Sequence, residues 1–195
     1  GNTPLDGLVL VFFNGNGDVA YDSFDLDGKT TDGDGYFVVG NAAVTNVDLT
    51  FPGSGLQNGA DAVALYQADA ADFPGGTPVT TAGLIDAVVY DTNDADDAGL
   101  LVLLNAGQPQ VNEAGGGDKD QHSSQRCPNG SGGQRNTSSF RQALPSSGIA
   151  NNCTPTAIIL LYFSAAPGPD GVTLTWVTGT EIDNAGLNLH RATAA

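Results

Sequence analysis

The stretch YDTNDADDAG (residues 90–99) carries five side-chain oxygen donors, Asp91, Asn93, Asp94, Asp96 and Asp97, within seven residues. Hard cations bind such sets when three or four oxygens converge and backbone carbonyls complete the shell, so calcium is the expected ion. The competing reading is an Asx-rich turn whose side chains cap their own backbone amides. Glu113, Asp118 and Asp120 lie further along and would add ligands from a distance.

A second acidic stretch, DLDGKTTDGDGYF (residues 25–37), looks like a calcium loop and fails as one. Counted from Asp25, the fifth position is Lys29 and the sixth is Thr30, where an EF-hand needs an oxygen ligand and a glycine. Its three Asp-Gly pairs are tight-turn signals, so it reads as a polar loop between strands at 20–26 and 35–40. DKDQH sets Asp118, Asp120 and His122 at alternating positions, a spacing that would suit a transition metal or phosphoester chemistry. Nothing nearby orients the imidazole, and a solvated loop is the plainer reading. Glu181 and Asp183 form a carboxylate pair with no sign of a cleft between them. HExxH, GxSxG, P-loop and CxxC patterns are absent, so no catalysis is expected.

Charge narrows the partners. Six Lys and Arg stand against 22 Asp and Glu, a formal net charge of −16. Such a chain repels nucleic acid and anionic membranes and draws divalent cations instead. The longest apolar run, AIILLYF (157–163), suits a buried strand and is far too short to span a bilayer. Cys127 and Cys153 flank a glycine- and serine-rich segment and are expected to pair. Closing that loop would stabilise the fold by about 3 kcal/mol in the chain-entropy model and implies an oxidising, extracellular compartment. The chain opens at Gly1 without initiator Met or signal peptide, as a processed or partial product would. Three Asn-X-Ser/Thr triplets, at Asn129, Asn136 and Asn152, fit the glycan acceptor pattern and equally fit ordinary turns.

These residues must be positioned by strands. Apolar runs are short, rich in β-branched and aromatic residues, and broken by 27 glycines and 10 prolines. They fall at 5–15, 20–26, 35–40, 48–52, 61–67, 84–91 and 100–104, with no trustworthy helical period. An all-β sandwich is expected over residues 1–153. Within it, 105–150 is a long polar segment, expected to be a packed or functional loop tethered by the disulfide. Strand patterns return in residues 154–195.

LDGLVLVFFNGNGDVAYDSFDLDG, DGYFVVGN, NGADAVALYQ, LIDAVVYDTNDADD and the segment from SSQRCPNG to IANNC resemble the lamin tail domains of secreted bacterial proteins. The resemblance covers about residues 1–153 and implies an immunoglobulin-like β-sandwich, with the closing arginines ordering the polar loop. The segment TAIILLYFSAAPGPDGVTLTWVTGTEIDNAGLNLHRA is similar to the opening strands of a fibronectin-type module, which needs about seven strands. Both modules look incomplete by this comparison, either because flanking residues are simply omitted from this stretch or because open edges pair with another chain. The expectation is a non-catalytic extracellular structural protein, its protomers joined head to tail by strand exchange into a calcium-stabilised fibre or surface assembly. Ile158, Leu160, Tyr162, Val172, Leu174 and Trp176 are the assembly residues. The alternative is an accessory or targeting module of a larger secreted nuclease or phosphoesterase. A glycan is a further partner class, with Phe140 as the aromatic platform in the polar loop.

Overall fold

The computed structural model describes residues 1–116, 119–153, 160–169 and 171–179. It is all-β, with no α-helix among the described residues. The chain divides into two units, Gly1–Cys153 and Thr154–Ala195.

The first unit is built on strands β1 (Leu8–Asn14), β2 (Val19–Asp25), β3 (Val39–Gly40), β4 (Leu49–Thr50), β5 (Asp61–Gln67), β6 (Leu84–Asp91), β7 (Val111–Asn112), β8 (Ser123–Arg126) and β9 (Phe140–Ala143). Its main sheet has the order β2-β1-β5-β6-β7, antiparallel except for the β6–β7 pair. Strict alternation explains the central strands. Val9, Val11 and Phe13 of β1 point to one face, where they meet Ala62, Ala64 and Tyr66 of β5 and Ala87 and Val89 of β6. Small alanines on β5 leave room for the large rings: Phe13, Tyr66 and Phe73 pack with centroids 4.6–6.5 Å apart. The Tyr66 hydroxyl donates to the Thr80 carbonyl at 2.8 Å, so its one polar atom is satisfied. The opposite face carries a second aromatic group, with Phe12 against Tyr21, Phe24 and Phe51.

The run LLVLL (100–104), expected as a strand, is instead a 3₁₀ turn over Leu100–Leu103. Leu100 and Leu103 are buried in the main core while Val102 is exposed, a spacing of three rather than two. Polar groups at both ends hold this turn. Asp97 Oδ1 accepts from the amides of Gly99 and Leu100, and the Arg135 guanidinium donates to the carbonyls of Val102, Leu103 and Leu104. Residues 35–40 and 48–52 likewise reduce to the short parallel pair β3–β4.

The polar segment 105–150 is packed, and it contains strands that its composition conceals. β8 and β9 form an antiparallel hairpin with Arg126 opposite Phe140. Its anchoring is polar. Arg126 meets Asp86 of β6 at 2.8 Å, and the same carboxylate oxygen accepts from the Arg135 amide at 2.7 Å. Gln125 is buried and donates to the Leu144 carbonyl, while Asn151 donates to the Arg126 carbonyl. Cys127 and Cys153 are disulfide-bonded, with their Cα atoms 5.2 Å apart.

Of the second unit, one antiparallel hairpin is described, β10 (Leu160–Gly168) with β11 (Gly171–Thr178). Residues opposite each other share a face. Phe163/Trp176, Ala165/Leu174 and Pro167/Val172 line one face; Tyr162/Val177, Ser164/Thr175 and Ala166/Thr173 line the other.

Candidate functional site

Three carboxylates of residues 25–37 are engaged by backbone amides. Asp25 accepts from the Asp27 amide, Asp27 from that of Gly7, and Asp32 from those of Asp34 and Tyr36. The Asp25 and Asp32 bonds to the second residue on are Asx turns that shape a loop, in keeping with the turn reading of DLDGKTTDGDGYF.

The five oxygen donors of residues 91–97 do not converge on one point. Asp91, at the end of β6, is only 2% exposed; Gln110 Nε2 donates to its Oδ2 at 2.7 Å, and its Oδ1 has no protein partner. Burial pushes the Asp91 carboxyl above its ordinary value, the Gln110 bond opposes this, and the charges of Asp94 and Asp96 add to it. Asn93 accepts from Asn112, while Asp94 and Asp96 are exposed. Asp97 turns away, its amide donating to Gln110 and its carboxylate capping the 3₁₀ turn. Glu113 is raised first by burial and then by the charge of Asp91, with Lys119 opposing.

Asp97 lies close to Asp18 and, across Gly15, to Asp61. A β-carbon at Gly15 would stand 2.7 Å from Asp97 Oδ2, and one at Gly99 would stand 2.0 Å from Asp18 Oδ2. These two glycines give Asp18 and Asp97 the space to approach. Asp61, the first residue of β5, accepts from the Gly15 amide at 3.3 Å on the other side of the same turn. It is 3% exposed. Asp18 Oδ1 and Asp61 Oδ2 are buried without a hydrogen-bond partner. Burial raises Asp18, and the neighbouring Asp97 raises it further; burial and Asp97 also raise Asp61, against the Gly15 amide. A polar groove of about 350 Å³, lined by Asn14, Asn16, Gln57, Asn58 and Asp61, opens beside Asp61. Among the described residues, no group of three or more His, Cys, Asp or Glu side chains is placed to hold a metal ion.

Sequence reasoning missed this juxtaposition because Asp18, Asp61 and Asp97 share no motif. The available signal was the repeated glycine context of NGNGD and NGAD at strand ends.

The remaining candidates are scattered. Asp120 pairs with Lys119 at 2.7 Å, both on the surface; His122 Nδ1 is buried without a partner; Asp118, Glu181, Asp183 and Ile158 lie outside the described residues. Asn129 donates to the Tyr36 hydroxyl, and Asn136 accepts from Asn105, so the side chains of both these glycan acceptors are engaged. The Arg126 guanidinium lies 5.3 Å from the centroid of Phe140, on the face a sugar would use. Leu160, Tyr162, Val172 and Trp176 are exposed, at 66% for Val172 and 38% for Trp176, and Leu174 is half-buried.

No family model, curated protein or solved structure matches this chain. No helix among the described residues is long and apolar enough to cross a membrane.

Proposed function

We propose that the chain is a non-catalytic extracellular structural protein that self-associates head to tail through its C-terminal hairpin. In this reading the first unit is a lamin-tail-like, immunoglobulin-like module, and the hairpin is a fibronectin-like element that pairs with another protomer. The observation that carries it is the exposure of Phe163, Val172 and Trp176 on one face of the β10–β11 hairpin, the two strands described in the second unit. An isolated hairpin is marginal in water, and exposed apolar strands are templates for further strands. A strand contributed by a second copy would satisfy the edge and cover that face. The disulfide-tied, acidic first unit supports an extracellular setting, and its clustered carboxylates support calcium as a stabilising ion.

The self-contained core of the first unit favours a second reading, an accessory or targeting module of a larger secreted nuclease or phosphoesterase. Negative-stain microscopy in millimolar calcium, repeated after a chelator, separates the two. Filaments that soften or dissociate on chelation are expected for the fibre. Monodisperse small particles in both conditions would remove it and leave the accessory module.

A further inference from the structure

We infer that Asp61, Tyr21 and Tyr90 enclose an internal binding site for one small neutral ligand, a water that joins the Asp61 carboxyl to the two phenols. Strand register brings the three residues together. Asn14, Asp61 and Tyr90 stand opposite one another across β1, β5 and β6, and residues so paired share a face of the sheet. Phe12, two residues before Asn14, lies on that same face, and the Tyr21 ring packs 5.8 Å from it. Phe12 pairs with Asp22 and Phe13 with Ala20, so Tyr21 is the extra residue of a β-bulge, a device that re-aims a side chain. Phe12 and Phe51, both buried and packed edge to face, form the apolar side of this region.

The polar atoms of all three residues are buried and unpartnered. Asp61 is 3% exposed; the Gly15 amide donates to its Oδ1 at 3.3 Å, and its Oδ2 has no hydrogen-bond partner. The hydroxyls of Tyr21 and Tyr90 have none either. They are nonetheless neighbours. Burial raises both phenols; the Asp61 charge raises Tyr21 further, and Tyr21 and Asp61 raise Tyr90 further. Asn14, the other member of the row, donates its amide to Gln57 Oε1 at 2.6 Å. Leaving three buried polar groups unpaired costs about 1–3 kcal/mol each. Polar groups that lie close without bonding directly are commonly bridged by a water, which makes about three bonds when buried. One water accepting from both phenols and donating to Asp61 Oδ2 satisfies all three. A cation fits less well, because Asp61 is the one carboxylate of this trio and burial favours its neutral form. Asp61 also lines the groove with Asn14 and Gln57, which gives the water a route of exchange. The site is independent of self-association, since all three residues belong to the first unit.

A high-resolution crystal structure of the full chain, grown with calcium present, is the test. One water is expected about 2.5–3.0 Å from Asp61 Oδ2 and from both phenol oxygens. It should persist in Asp61→Asn, whose side-chain oxygen still accepts, and disappear in Tyr21→Phe with Tyr90→Phe, which keeps the ring shapes and removes both hydroxyls. A metal ion at that point, phenols bonded directly to Asp61 with no water between, loss of the water in Asp61→Asn, or a water unmoved by loss of both hydroxyls would each overturn the site. Oxygen-17 relaxation dispersion of the solvent supplies a readout in solution, because it counts waters held for long times inside the protein. The double phenylalanine variant should hold one such water fewer than the unaltered chain, and equal numbers would refute the proposal. Circular dichroism of each variant shows that the comparison is made on folded protein.

Discussion

The first unit and the C-terminal hairpin are both antiparallel β structure, yet they treat apolar surface in opposite ways. In the first unit, Val9, Val11 and Phe13 are sealed beneath the 3₁₀ turn at Leu100 and the segment around Phe73. On the hairpin, Phe163 and Trp176 face each other across the strands and remain exposed. Strand propensity alone thus makes both, and the difference lies in whether a covering layer exists. The first unit obtains that layer from polar chemistry: Asp97 starts the 3₁₀ turn, and Arg135 takes its carbonyls. The hairpin shows no such device among its described residues, which is why an intermolecular cover is proposed for it.

The comparison is broken most severely by opening the sealed core. Phe13→Ala should cost about 3–5 kcal/mol, since it leaves a cavity between Tyr66 and Phe73. Urea unfolding monitored by tyrosine fluorescence would show it, and the hairpin's association should persist until the first unit unfolds. Next in size, Cys127→Ser with Cys153→Ser should destabilise the first unit by about 3 kcal/mol through the freed loop. Thermal unfolding with and without reductant reads this directly. Asp86→Ala should follow at roughly 1–3 kcal/mol, because one carboxylate oxygen serves both Arg126 and the Arg135 amide. Proteolysis within residues 127–139 should accelerate in that variant while cutting in β1 and β5 does not.

The smallest effect is in pH. Asp18 and Asp61 have folded values raised above the ordinary 3.8, chiefly by burial. Between the ordinary and the raised value the folded state holds more protons than the unfolded state. Their contribution to stability is therefore greatest below the ordinary value and is lost as pH rises through the folded one. In metal-free protein, Asp61→Asn should flatten that decline, as urea midpoints measured from about pH 4 to about pH 7 would show.

How much was legible in the sequence follows the same division. β5 and β6 could be read at 61–67 and 84–91 because alternation and β-branched residues mark a half-buried strand. LLVLL misled because five apolar residues carry no period of their own; Asp97 and Arg135, outside the run, make it a 3₁₀ turn. The β8–β9 hairpin was hidden since side-chain hydrogen bonds and the Asp86 pair anchor it, and these leave no hydropathy pattern. Asp91–Asp97 were legible as an acidic run. That Asp91 would turn inward to Gln110 and Asp97 towards Asp18 depends on strand order, which local sequence does not encode.

The central claim is that the hairpin's open face joins protomers. Sedimentation velocity in millimolar calcium tests it most directly, comparing the unaltered chain with a Val172→Asp, Leu174→Asp variant. Large, concentration-dependent assemblies for the first and a monomer with an unchanged unfolding midpoint for the second are predicted. Equal sedimentation of the two, either as monomers or as assemblies, would contradict it.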